Sequence, residues 1–487
     1  MHVQIAGALT GRITKWVVLV FWILTTVFAL QFASKLVEVQ KDEAISWLPG
    51  EAESTKALQK QEQFQSSDTI PAVVVYERTD GLTKADFAKA TADAEKYAEF
   101  SDLDGQVRGP FPSPDNLALQ TLVPLNLGQD GWDKAPDLAD DIRGIAEADG
   151  DMEVHISGPL GMAADSAEAF GGIDTTLLAA TLAVVIVLLL LTYRSPVLWI
   201  FPLLTSVVAL FTTQAVIYFL ARDAGLVVNS QSAGILTVLV VGAGTDYALL
   251  LVARYRQELR RHHDKHEAMA IALHRAGPAI FASAGTVILG MLCLVFADMN
   301  STQGLGPVAA IGIGVALLAM MTLLPALLVI FGRWIFWPKR PVEGSAEPTS
   351  SGLWARIGAR ISVRPRMVWV VTALVLSEAC LGVAKLDANG LSNKEQYTKT
   401  VDSVVGEEVL VKHGLADAGS PVAIVTDDST AEEVTQVAGE TDGIERANVV
   451  ASKGGTTYVE AQLSDAPDSP AAFDTIDRLR TTLDTVT

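Results

Sequence analysis

Seven stretches of the chain carry apolar residues almost without interruption, at roughly 16 to 33, 175 to 193, 197 to 220, 226 to 253, 278 to 297, 304 to 332 and 367 to 384. A bilayer core of about 30 Å takes about 20 apolar residues in helix, so each is predicted to be a membrane span. The charged residues inside them are Asp246 in the fourth and Glu378 in the seventh. The first run follows Arg12 and Lys15, as a signal peptide would, but it is longer than the usual h-region and lacks a small-residue cleavage site. It reads as an anchor. Two long polar stretches interrupt the spans, and in them the period changes. In the first, strands over 71 to 77, 117 to 124 and 152 to 157 alternate with helices over 83 to 99 and 133 to 148. This is the pattern of an α/β module of the ferredoxin-like, split βαβ kind.

The second polar stretch repeats the first at an offset of 350 residues: Lys35-Leu36 and Lys385-Leu386 leave their spans alike, and Pro71 and Pro421 each head an apolar strand. The copy continues with a strand over 421 to 426, a helix over 431 to 439, a strand over 456 to 463 and a helix over 471 to 484. Its closing strand would begin near position 502, past Thr487. The expected organisation is an N-terminal segment and first span (1–33), an outer domain (34–173), a five-span bundle (174–332), a linker (333–366), a seventh span (367–384) and a partial outer domain (385–487). A duplicated protein of this kind implies a missing second half: the chain is expected to be a fragment of a longer protein, with a truncated gene product as the alternative. Within the linker, residues 340 to 352 are rich in Pro, Gly and Ser and are expected to be flexible.

Charge orients this arrangement. With the N-terminus in the cytoplasm, the inner segments hold 16 Lys or Arg against 5 Asp or Glu, as the positive-inside rule requires. The two outer stretches then carry balances of −16 and −11, so the net charge of −20 belongs to the extracytoplasmic side. An acidic chain argues against nucleic acid as a partner. Cys293 and Cys380 both lie in apolar runs and form no disulfide framework.

Asp246 stands eight residues before Arg254, about 12 Å along a helix from the cytoplasmic edge. An Asp at the centre of a span costs about 2.5–3.5 kcal/mol to insert and needs a partner or a proton. Burial raises a carboxyl pKa and a nearby donor or cation lowers it, so a carboxyl between those influences can load and release a proton. Tyr247 is adjacent, and Gly242 and Gly244 leave room for close helix approach. The plainer alternative is an Asp that only hydrogen-bonds a neighbouring helix. Ser283 and Thr286 in the fifth span could supply hydroxyls, although such residues in membrane helices commonly serve packing.

The run from Gly242 to Arg256, the Leu323-Leu324-Pro325-Ala326-Leu327-Leu328 end of the sixth span, and the order of span, outer domain and five spans resemble the MmpL branch of the resistance-nodulation-division (RND) transporters. The resemblance covers the chain as the first half and the start of the second half of such a protein. It implies a proton-driven exporter of lipids, lipid-linked metabolites or amphiphilic drugs in the plasma membrane, with the proton gradient as energy source and no cofactor. Asp246 and Tyr247 match that family's proton-relay pair, and Ser283 a serine near it. The family's second Asp-Tyr pair would fall near position 596 by the same offset, beyond this chain. Related architectures keep two alternatives open: an accessory factor for protein translocation like SecDF, and a lipid sensor or scaffold. Oligomeric state, including a homo-oligomer, is open.

Other signals are weaker. Gly242, Gly244 and Asp246 approach the GxGD motif of intramembrane aspartyl proteases, but Thr245 intervenes and no second Tyr-Asp pair lies in another span, so an enzyme is not expected. No Gly-Lys-Ser or Gly-Lys-Thr suggests ATP use. Glu258, His262 and His266 have the i, i+4 spacing of a metal face, yet the segment from Arg254 to Arg275 reads better as a basic helix against the inner leaflet, and no metal is expected. Trp16, Trp22, Trp334 and Trp337 read as interfacial anchors.

Overall fold

The computed structural model describes residues 7, 10–41, 47–61, 63–64, 69–127, 131–147, 151–193, 195–338, 340–345, 353–386, 397, 399–415, 421–465 and 469–486. Of the flexible linker expected at 340 to 352, residues 346–352 lie outside the described residues. In chain order the helices are α1 (Thr14–Ala33), α2 (Glu53–Gln61), α3 (Lys84–Tyr97), α4 (Gly131–Ile145), α5 (Gly158–Tyr193), α6 (Ile200–Ala224), α7 (Ser230–Glu258), α8 (Lys265–Leu292), α9 (Asn300–Phe331), α10 (Leu353–Val363), α11 (Pro365–Leu381), α12 (Asp402–Lys412), α13 (Ala431–Glu440) and α14 (Pro470–Leu483). The strands are β1 (Thr69–Glu77), β2 (Arg108–Pro112), β3 (Ala118–Asn126), β4 (Glu153–Ser157), β5 (Val422–Asp427), β6 (Ile444–Lys453) and β7 (Thr456–Leu463). They fall into two units, one of Met1–Gln40, Leu177–Ala297 and Thr302–Gly390, the other of Lys41–Thr176, Asp298–Ser301 and Leu391–Thr487.

The first unit is helical. Among the described residues five helices are long and apolar enough to cross a membrane: Thr14–Val39, Ile200–Ala224, Ser230–Glu258, Lys265–Phe296 and Asn300–Phe336. The second expected span ends α5, where Ala179–Tyr193 is apolar, and the seventh is α11, with 17 residues. The chain is a multi-pass membrane protein. α1 packs on α6, α6 on α7 and α7 on α8, and the Trp22 indole donates to Thr322 Oγ1 of α9 at 2.9 Å. Leu236, Val240, Tyr247, Ala248, Leu251 and Tyr255 of α7 recur at helical spacing and are buried in the core.

The segment from Arg254 to Arg275 is not one helix, which corrects the sequence reading. α7 stops at Glu258 and α8 begins at Lys265, because Asp264 caps α8 by accepting from the His266 backbone N–H at 2.8 Å. The Arg333 guanidinium takes the carbonyls of Leu259, His262 and His263 at 2.8–3.0 Å, closing the end of α7.

The second unit holds two antiparallel sheets, ordered β2-β3-β1-β4 and β5-β7-β6. β1 is a continuous apolar run because both its faces are covered. Ala72, Val74 and Tyr76 join the core under α3 and α4, whereas Val73 and Val75 pack with Val409, Leu410 and Leu415 around the end of α12. α12 thus belongs to the second polar stretch and covers the sheet of the first. The converse holds too: after α2, Phe64 stacks on Tyr458 of β7 at 5.9 Å, and Gln61 donates to the Tyr458 hydroxyl at 3.0 Å. The two stretches exchange these helices. Gly406 makes the α12 contact possible, since a Cβ there would lie 2.8 Å from Ser157 Cβ and 3.1 Å from His155 Cβ.

Candidate functional site

α7 carries the residues singled out in the sequence. Tyr247 is buried at 3% exposure. Asp246 is exposed and shares an open face with Ile235 and Leu250, and no hydrogen bond or ion pair reaches it from the described residues. The expected partner for this carboxyl is therefore not supplied by the helices described. Adjacent side chains on a helix diverge by about 100°, and that divergence sends the acid to the open face and the phenol into the core.

The two glycines differ. A Cβ on Gly244 would stand 2.8 Å from Ser206 Oγ of α6 and 3.0 Å from Met320 Cε of α9, so this glycine lets three helices meet. A Cβ on Gly242 would meet nothing within 4 Å among the described residues. The Gly244→Val variant is expected to lose about 1–3 kcal/mol through overpacking, while Gly242→Ala should be neutral or slightly stabilising. Thermal unfolding of the two purified variants in detergent checks this, and equal melting temperatures would refute it.

Ser206 is fully buried, and its hydroxyl has no partner among the described residues; one serine in an apolar span carries no pattern that would distinguish it in the sequence. Thr245 donates to the Gly242 carbonyl at 2.8 Å and Thr286 to the Ala282 carbonyl at 2.9 Å, so both hydroxyls are spent on their own helices. Ser283 lies on an exposed face of α8. Glu258 is fully buried at the end of α7, beside Arg254 at 3.2 Å and Arg275 at 3.1 Å, with His262 at 3.5 Å. His266 Nδ1 lies instead 2.6 Å from the Thr10 carbonyl. The i, i+4 set thus does not converge on one point.

A second group of ionisable residues joins α12 to the first sheet. At its start, Asp402 accepts from the Ile156 backbone N–H at 3.1 Å and from Arg143 at 3.2 Å, and meets His155 Nδ1 at 2.9 Å. Just past its end, buried His413 sits between Glu77 Oε1 at 2.9 Å and Asp115 Oδ2 at 2.6 Å, while Lys412 donates to Glu77 at 2.6 Å. Burial works against the His413 imidazolium, but its bonds to Asp115 and Glu77 outweigh it and raise the pKa. The bond to Asp402 raises His155 against the opposing effect of burial. Burial opposes ionisation of Glu77 and Asp402, yet their cationic donors keep both below their ordinary values. The His413 bond, helped by Ser113, holds Asp115 at about 2.

Among the described residues Glu77, Glu153 and His155 bring donor atoms within 4.8 Å of one another. Lys412 already neutralises Glu77 and Asp402 already engages His155, so we read the group as an ion-pair network rather than a metal centre.

Comparison with known proteins bears on both regions. The sequence pattern of the MMPL family matches residues 46–368. The Streptomyces coelicolor membrane protein ActII-3 is 49% identical over 475 residues, covering 97% of this chain and 67% of its own length. The apo-petrobactin exporter of Bacillus anthracis is 30% identical over 86% of this chain and 61% of its own. The transport protein MmpL10 of Mycobacterium leprae is 29% identical over 82% of this chain and 41% of its own.

Proposed function

This chain belongs to the MMPL family, within the MmpL branch of the RND transporters, and from that membership we propose that it forms part of a proton-driven exporter of lipids, lipid-linked metabolites or amphiphilic drugs. The exporter sits in the plasma membrane with the second unit outside. The proton gradient supplies the energy and no cofactor takes part. Asp246 and Tyr247 are its proton relay, Ser283 supports them, and Gly244 packs the helices around them. Thr286 and Gly242 have lesser structural parts.

The observation that carries this reading is the carboxyl of Asp246, exposed, unmatched among the described residues, and the one charged group of α7 before Arg254. Hydrocarbon does not tolerate a charge there, so a further element or water must meet it, and a carboxyl in that position exchanges protons. The relatives above are longer than this chain, which leaves room for a second half bearing a matching pair. The β2-β3-β1-β4 order, with one helix between β1 and β2 and another between β3 and β4, supports a split βαβ porter domain. The relative from Bacillus anthracis is an exporter of apo-petrobactin, which supports export as the activity.

Depletion of the protein tests the proposal. Lipids or small amphiphiles are expected to accumulate inside the cell while secreted proteins mature normally. Accumulated precursors of secreted proteins, with an unchanged lipid profile, would overturn it in favour of an accessory to protein translocation.

A further inference from the structure

The tip of the hairpin formed by α8 and α9 does not group with the rest of that hairpin. Asp298–Ser301 fall in the second unit, whereas the chain up to Ala297 and again from Thr302 falls in the first. What holds the tip is the segment that opens the first polar stretch. Pro49 and Met299 form an antiparallel bridge, and the Asn300 backbone N–H donates to the Leu48 carbonyl at 3.3 Å. A Cβ on Gly50 would lie 3.1 Å from Asn300 Oδ1, so the residue after the bridge has little room for a side chain.

The Pro49 carbonyl ties this bridge to α2. It accepts from the Ala52 backbone N–H at 3.2 Å and from the hydroxyl of fully buried Thr55 at 2.6 Å, which fixes the first turn of the helix to the bridge. At the start of α2, Glu53 pairs with Arg480 of α14 at 3.0 Å. Past its end, Gln61 and Phe64 meet Tyr458 of β7, and Lys453 of β6 donates to the Gln63 carbonyl at 3.0 Å. Nine residues of helix, about 14 Å, thus separate a grip on the hairpin tip from a grip on the sheet β5-β7-β6.

Within the first unit, α9 packs on its neighbours with no spare volume. A Cβ on Gly312 would collide with Leu236 and stand 2.9 Å from Val240, both of α7, and one on Gly306 would stand 2.6 Å from the Met291 carbonyl of α8. Contacts as close as these transmit a displacement instead of absorbing it. α7 is the helix that carries Asp246.

We propose that the segment from Trp47 to Phe64 is a strut that carries movements of the α8–α9 hairpin, through the bridge of Pro49 to Met299, into the sheet β5-β7-β6. The inference deepens the export reading and rests on it for the source of the movement, a change of charge at Asp246. It makes Pro49, Gly50 and Tyr458 positioning residues of the transport cycle.

The test follows amide hydrogen exchange of residues 53 to 61 and 456 to 463 in the whole protein in nanodiscs. Asp246→Asn, which keeps that side chain uncharged, is expected to change exchange in both segments about 5- to 150-fold, the usual span of coupling between distant sites. Gly50→Val, which forces the bridge apart, should abolish that response. A second variant keeps the bridge closed: Pro49→Cys with Met299→Cys, in a background where Cys293 and Cys380 are Ser, since bridged antiparallel partners are close enough for a disulfide. A strut stays joined throughout the cycle, so the oxidised pair should keep both the response and the export of its reduced form. Exchange in the sheet that ignores Asp246→Asn would overturn the proposal, as would a response that survives Gly50→Val in full or a disulfide that stops export until it is reduced. The two possible failures look different. A wrong relay shows normal export by Asp246→Asn, whereas a wrong strut shows export lost while exchange in the sheet stays as in the parent.

Discussion

The Asp246→Asn variant is expected to insert and accumulate like the parent protein and to export nothing above background. Asparagine keeps the size and most of the hydrogen-bonding shape of the side chain but cannot gain or lose a proton near neutral pH. Because Asp246 is exposed on α7 and makes no hydrogen bond to the described residues, the change breaks no contact on which the helix depends. If anything it relieves the cost of about 2.5–3.5 kcal/mol for an Asp at the centre of a span. Stability and function should therefore separate, with transport falling at least about 100-fold, the scale on which an obligatory proton-transfer group counts. Tyr247→Phe removes one hydroxyl from a buried ring and should weaken transport less. Transport by the whole protein in vesicles with an imposed pH gradient, normalised to protein inserted, checks both. Undiminished export by Asp246→Asn would remove this residue from the mechanism.

The second large effect concerns the hold of α12 on its sheet, which should depend on pH in a definite direction. His155 and His413 both titrate above their ordinary 6.5 in the folded protein. Their contribution is fully present below pH 6.5 and is lost as pH rises through the raised values. Glu77 and Asp402 titrate below their ordinary 4.5 and 3.8. Their contribution is present above those values and is lost as pH falls through the lowered ones. Docking is therefore strongest between about pH 4.5 and 6.5 and weakens toward alkaline pH.

Hydrogen exchange of residues 402 to 415, corrected for intrinsic rates, is expected to speed up above pH 7 relative to the rest of the unit. His413→Gln should leave Glu77 and Asp115 with one fewer cationic partner, costing about 1–3 kcal/mol or about 5- to 150-fold in local opening. It should also flatten the alkaline limb. Protection of α12 that stays constant from pH 5 to pH 9 would contradict the imidazole assignment.

What the sequence disclosed follows from how far each signal reaches along the chain. Spans announce themselves because 20 consecutive apolar residues have few soluble explanations, and β1 is legible as a β-branched run. β2 and β6 leave no clear pattern in the sequence because they are edge strands. Arg108–Pro112 carries two prolines and is mostly exposed, and β6 buries little beyond Ile444, so neither shows a clean alternation. α12 is legible as a helix only once Gly406 is seen to fit against Ser157, since a glycine at mid-helix lowers the propensity. The pairing of His413 with Glu77 spans 336 residues and has no trace in one sequence. Asp246 is legible in the sequence, but its surroundings are not. An apolar span suggests burial, and only the packing shows which face of α7 the other helices leave open.

The exchange of helices between the two sheets also sets a timetable for synthesis. The first sheet is complete when Ser157 has been made, but the helix that shields Val73 and Val75 does not begin until Asp402. At about 5–20 residues per second, translation of the interval takes tens of seconds, and several spans must enter the membrane within it. Throughout that delay one face of the young sheet waits uncovered, a period in which a holding chaperone in its compartment would find its natural client.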